Sequence, residues 1–179
     1  MDTYLEFHNR SINDREKFWS ELSSKIYWKE NPKTICDTSN SPFTKWFIDG
    51  KTNLAFNCID RHLPNRSDQV AIKYISTEAD FQKDITYGQL NIEVNTFASI
   101  LKNFGIKKGD RVLIYMPMIP EAVFAMLASV KIGAIHSVVF GGFASDSLAL
   151  RINDARPKLI ITADCGLRAG KVIEYKPLL

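Results

Sequence analysis

From residue 111 onward the spacing of apolar residues changes repeatedly, and the changes predict strands alternating with helices. Arg111-Val112-Leu113-Ile114-Tyr115 is a short apolar run, as suits a strand buried on both faces. A helix is predicted over 120–132, with Pro120 in its first turn and Gly133 just past its end. Residues 135–140 form a second buried strand, ending at Gly141-Gly142. Another helix is predicted over 147–154, capped by Ser145 or Asp146 and closed by Pro157. Leu159-Ile160-Ile161-Thr162-Ala163 supplies a third strand. This order predicts an α/β fold, a parallel sheet with flanking helices and right-handed crossovers.

The preceding segment has a different rhythm. Val70 to Ile75 is a strand candidate, and Asp84 to Tyr87 is its expected hairpin partner. Thr86 is placed to cap a helix in which Leu90, Val94, Phe97, Ala98, Leu101 and Phe104 step by three or four, with Gly105 as the stop. Upstream, 13–22 reads as an amphipathic helix with Asn13 or Asp14 as cap and Phe18, Trp19 and Leu22 on one face. The stretch 27–51 is rich in Asn, Pro, Thr and Ser yet carries Trp28, Phe43, Trp46 and Phe47. It reads as an irregular N-terminal arm anchored by its aromatics. A short helix capped by Asn53 is predicted over 53–63. The chain ends on an apolar segment, Tyr175 to Leu179. Three parallel strands and one flanking pair would leave the last strand as an open edge, so a fold continuing past residue 179 is expected.

Composition narrows the class. The chain has 179 residues, 45% of them hydrophobic and 11% aromatic, enough for a real core and against disorder. With 23 Lys+Arg against 20 Asp+Glu, the net charge of +3 is too small and too dispersed to indicate a nucleic-acid partner. No apolar run approaches the ~20 residues of a membrane span, and the N-terminus lacks the features of a secretory signal. A cytoplasmic protein with no membrane partner is expected. Cys36, Cys58 and Cys165, with His8, His62 and His136, show no ligand spacing, so neither a disulfide framework nor a metal site is predicted.

Generic chemistry is sparse. The turn at 116–120 contains no glycine, which removes a dinucleotide-binding reading, and no phosphate-binding loop of the G-x-x-x-x-G-K-[ST] kind exists. Gly141-Gly142 follows a strand and precedes a helix, allowing a ligand close to the backbone; a tight turn with a helix cap accounts for the same letters. Arg168-Ala169-Gly170-Lys171 sets two cations three residues apart, suited to holding a phosphate from two sides, or else forms a solvated turn before a short helix. His136, inside an apolar strand, reads as a satisfied core residue. Asp60-Arg61-His62 reads as a local charge cluster. No catalytic grouping follows from the spacing.

Several longer stretches carry a specific resemblance. Residues 40–47, 57–62, 109–122 and 151–157, together with Ile132-Gly133-Ala134-Ile135-His136-Ser137-Val138-Val139-Phe140-Gly141-Gly142-Phe143, resemble the N-terminal part of AMP-forming short-chain acyl-CoA synthetases, the acetyl-CoA and propionyl-CoA synthetases. Residues 50–54 and 170–179 lean toward the propionyl-CoA branch. The resemblance implies an incomplete adenylate-forming large domain: residues 1–65 as an acetyl-CoA-synthetase-type helical and arm region, and 66–179 as the first part of the AMP-dependent ligase domain. It implies ATP, Mg²⁺ and CoA as the complete enzyme's requirements, with an acyl-adenylate formed first and then attacked by CoA. It also implies that Phe140, Gly141 and Gly142 lie beside CoA, and that Arg168, Ala169, Gly170 and Lys171 contact its nucleotide. The family often has Arg where Lys171 stands, and Lys keeps the charge without the two-pronged geometry. The family's phosphate loop, adenine segment, Mg²⁺ carboxylate, ribose-binding Asp and catalytic Lys have no counterpart among these residues. No catalytic residue is therefore assigned, and the chain alone is expected to be inactive, its partner being the missing C-terminal portion. The competing readings are a catalytically inactive remnant or binding module that kept the CoA-facing edge, and an aggregating incomplete fold.

Overall fold

The structure, a computed structural model, describes residues 3–141 and 145–179. It divides into two units, Met1–Asn53 and Leu54–Leu179.

In the first unit a helix not expected from periodicity, α1 (Tyr4–Asn13), precedes α2 (Arg15–Ser23). It starts at a capping box: Thr3 Oγ1 accepts from the Glu6 amide, and the Thr3 amide donates to Glu6 Oε2 at 2.7 Å. None of its residues is buried, although Leu5, His8 and Ile12 recur at helical spacing. The predicted 13–22 helix is α2, whose Asp14 cap makes no side-chain cap bond. The arm contains a hairpin, β1 (Thr34–Asp37) antiparallel to β2 (Lys45–Ile48). Its aromatics join those of α2 in a chain of ring contacts: Phe18 meets Trp19, Trp19 meets Trp46 at 5.7 Å, and Phe47 touches both Trp46 and Trp28. Phe43, 73% exposed, is not one of the anchors.

The second unit opens on a broken helix. The helix expected over 53–63 is broken into α3 (Leu54–Cys58), a 3-10 turn at Asp60–His62, and α4 (Leu63–Arg66). Ile59 leaves helical geometry (φ −127°, ψ −69°) and buries completely, while Pro64 has no N–H to continue a ladder. Then β3 (Val70–Ser76) pairs antiparallel with β4 (Phe81–Thr86) as a sheet of its own, not joined to the parallel one. Thr86 caps α5 (Tyr87–Asn103) in a second capping box with Gln89, and Gly105 follows at φ +76°.

β5 (Arg111–Met116), α6 (Pro120–Lys131), β6 (Ile135–Phe140), α7 (Ser145–Ala155) and β7 (Leu159–Thr162) complete the predicted alternation. The strands are all parallel, in the order β6-β5-β7. The chain steps from β5 to β6 on one side, then crosses to β7 on the other. Right-handed crossovers in opposite directions place the two helices on opposite faces. The packing agrees: Val112 and Ile114 face a core with α5 and α6, whereas Leu113 and Tyr115 face Val139, Leu148 of α7 and Tyr175. β5, flanked on both sides, is buried from Val112 to Tyr115. β6 is not the buried strand its composition suggested. As a sheet edge it leaves Ile135, Val138 and Phe140 more than half exposed. Beyond β7 the chain forms a hairpin, β8 (Cys165–Arg168) and β9 (Lys171–Glu174), and ends in a 3-10 turn at Lys176–Leu178.

Candidate functional site

Ligands of open parallel sheets bind beyond the C-terminal ends of the strands, near the point where connections diverge to opposite sides. Phe140 ends β6 at that margin, and the β8–β9 hairpin follows β7 from the same margin on the other side of β5. The two predicted segments meet there, with the Arg168 guanidinium stacked over the Phe140 ring, 5.3 Å from its centroid. Phe140, Gly141 and Arg168 thus come together. Gly142 lies outside the described residues.

The hairpin carries an unusual charge arrangement. Arg168 and Lys171 are directly opposed across it, so both side chains leave the same face. Like charges so placed oppose pairing by a few tenths to about 1 kcal/mol. Among the described residues no carboxylate forms an ion pair with either cation. The two-residue loop is left-handed throughout, Ala169 at φ +50° and Gly170 at φ +69°, the backbone of a type I′ turn. Gly170 suits this; Ala169 is held there against its preference. What grips the turn is Glu78, from the loop between β3 and β4: the Ala169 amide donates to its Oε1 at 3.0 Å and the Gly170 amide to its Oε2 at 3.1 Å. These bonds, that of Gly170 first, hold the Glu78 carboxyl below its ordinary pKa. The alternative of a turn before a short helix is replaced by this hairpin, because Lys171 to Glu174 pair with β8.

Gly141 is needed for packing. A Cβ there would lie 2.7 Å from Cε1 and 2.9 Å from Cζ of Tyr175; one on Gly166 would lie 2.8 Å from Cε2 of the same ring. Tyr175, 6% exposed, therefore sits between two glycines, edge-on to Tyr115 at 5.0 Å. Burial raises its phenol pKa and nearby Arg168 opposes the rise. Gly141→Ala is expected to destabilise the chain by ~1–3 kcal/mol, as overpacking does. The check is the urea midpoint, and an unmoved midpoint would show that Tyr175 is free to yield.

Other sequence candidates fall elsewhere. His136 is half-buried, with no hydrogen-bond partner at Nδ1 among the described residues; burial lowers its pKa, and a backbone hydrogen bond with Met126 opposes that shift. Asp60 pairs with Lys131 at 2.8 Å, tying the 3-10 turn to α6. The three cysteines are free, and no group of three or more His, Cys, Asp or Glu among the described residues is arranged for a metal ion. No helix among them is long and apolar enough to cross a membrane. Sequence reasoning missed Glu78 and Tyr175. Glu78 had no local signal, being about ninety residues from its partners. Tyr175 was visible as an apolar position without its glycine neighbours.

Comparison with known proteins gives the frame for this geometry. The family model described as AMP-binding enzyme matches residues 59–177, and that described as acetyl-coenzyme A synthetase N-terminus matches 4–58. The chain is 50% identical over 177 residues to a propionate–CoA ligase of Escherichia coli, covering 99% of this chain and 28% of the relative. It is 52% identical over 176 residues to an acetyl-coenzyme A synthetase of Bradyrhizobium diazoefficiens, covering 97% and 27%. These near-equal identities do not separate the two branches. Among solved structures, acetoacetyl-CoA synthetase from Streptomyces lividans matches with a TM-score of 0.90 at 24% identity, over 99% of this chain and 28% of that one, which shows the shared fold. The chain thus spans a little over a quarter of the length of the curated relatives it matches.

Proposed function

The chain belongs to the AMP-binding enzyme family, the AMP-forming acyl-CoA synthetases, and on that premise we propose that it supplies part of the CoA site of a short-chain carboxylate–CoA ligase. Residues 1–65 are assigned to the N-terminal helical and arm region, and 66–179 to the first part of the ligase domain. The reaction proposed for the whole protein joins acetate or propionate to CoA in two steps. Adenylation by ATP with Mg²⁺ releases pyrophosphate and exchanges a poor oxide leaving group for a stabilised phosphate. The CoA thiol then takes the acyl group and AMP departs. The proposed setting is the cytoplasm.

The observation carrying this reading is the stacking of Arg168 on Phe140, which unites the two segments assigned to CoA. Arg168 and Lys171 share one face with no carboxylate paired to either, as an arriving phosphate requires. Phe140 limits the motion of the Arg168 guanidinium stacked on it. The residues here fit CoA. They do not fit Mg²⁺, since the described acidic groups do not converge, and no chemical step is assigned to them. Residues 1–179 alone are accordingly expected to form no thioester from ATP, propionate and CoA.

Titration calorimetry of the chain with CoA tests the reading. Binding is expected, and Arg168→Ala is expected to weaken it roughly tenfold or more, the loss of a hydrogen-bonded charge contact. Unchanged affinity in that variant would remove Arg168 from the site, and no binding by the wild-type chain would remove the site itself.

A further inference from the structure

We propose that Glu78 is a positioning residue for a phosphate site: by gripping the Ala169–Gly170 turn it holds Arg168 and Lys171 side by side for a phosphate monoester. The inference rests on the CoA reading above and adds to it a residue outside both segments.

The β8–β9 hairpin is disfavoured by its own sequence and backbone. Two features work against it, a cross-strand pair of like charges and a non-glycine residue in left-handed backbone. Its two loop amides lie outside the β8–β9 register, so the hairpin itself leaves them without ladder partners. Successive amides in such a turn form a small concavity suited to an anion. Glu78 occupies it with one carboxylate oxygen per amide, at 3.0 and 3.1 Å. Charge-assisted bonds of this kind are about twice as strong as neutral ones. The carboxylate is thereby engaged by backbone, and it forms no ion pair with Arg168 or Lys171.

Two consequences separate this role from its alternatives. The turn amides are already occupied, so the incoming phosphate is met by the side chains of Arg168 and Lys171. The loop between β3 and β4 also becomes part of the site's framework, fixing the hairpin end from which Arg168 reaches Phe140. Were Glu78 instead a competitor for the phosphate, its removal would strengthen binding. Were it only a surface contact, its removal would leave phosphate recognition alone.

The test compares CoA with dephospho-CoA, which lacks only the 3′-phosphate, in the wild-type chain, Glu78→Ala and Glu78→Gln. Hydrogen exchange at the Ala169 and Gly170 amides is followed in parallel. Glu78 is exposed on a turn, so neither core depends on it. Wild-type protein is expected to prefer CoA. Glu78→Ala is expected to cut that preference roughly tenfold and to speed exchange at both amides, with Glu78→Gln intermediate because it keeps one acceptor. Retained preference in Glu78→Ala, or tighter CoA binding, overturns the proposal while the CoA site stands. Unaltered amide exchange also overturns it, whatever the affinities. A wild-type chain indifferent to the 3′-phosphate overturns the positioning role together with the assignment of Arg168 and Lys171.

Discussion

Tyr175→Ala is expected to lower the unfolding free energy of the chain by about 3–5 kcal/mol, the range for removing a large buried aromatic side chain. The ring is 6% exposed, packs edge-on against Tyr115, and belongs to the core on the α7 side of the sheet with Leu113, Val139 and Leu148. Its surroundings are poorly able to close over a cavity. The flanking positions are Gly141 and Gly166, which have no side chains to swing inward, and Tyr115 is itself fully buried in β5. Denaturant unfolding gives the number, and a loss under about 1 kcal/mol would mean that the site relaxes more freely than its packing implies. The double variant sharpens the test. In a Tyr175→Ala background, Gly141→Ala is expected to lose most of its own penalty, because the atoms a new Cβ would strike are gone. Additive penalties would contradict the packing of this ring between two glycines.

Ile114→Ala should be comparably severe, at about 2–5 kcal/mol. Ile114 is wholly buried at the centre of β5, between Val138 of β6 and Ile161 of β7 in the parallel register. It projects into the core built with α5 and α6, where Val94, Leu101, Phe124 and Ala125 are also buried. The cavity would be lined by side chains from elements paired on three sides, which restricts collapse. An exposed edge residue makes the control. Val138→Ala, at a position 52% exposed on β6, is expected to change stability far less. Equal losses at Ile114 and Val138 would sink the assignment of β5 as the centre and β6 as the edge.

That contrast also marks the limits of local reading. β5 and β6 are similar apolar runs, and nothing within either says which has neighbours on both sides. Strand order is a long-range property, and here a crossover carries the chain from β6 past β5 to β7. The break in the helix expected over 53–63 has a similar origin. Asn53, Leu54 and Cys58 are compatible with continuous helix, but the burial of Ile59 in the α5–α6 core pulls the backbone out of helical geometry before Pro64.

What the amino-acid sequence determined by itself was the succession of elements from residue 70 to 162, the capping of α5 by Thr86, and its stop at Gly105. These rest on contacts within a few residues, or on backbone angles that glycine and proline favour on their own. Family membership was legible for a related reason, since its motifs are contiguous. The tertiary structure alone decided that Arg168 stacks on Phe140, that Tyr175 sits between Gly141 and Gly166, and that Glu78 grips the turn between two cations. Each of the first and last joins residues far apart in the chain, and Tyr175 meets Gly141 across the same kind of gap. Such meetings are fixed by the direction of crossovers and the order of strands, which no local spacing of apolar residues encodes.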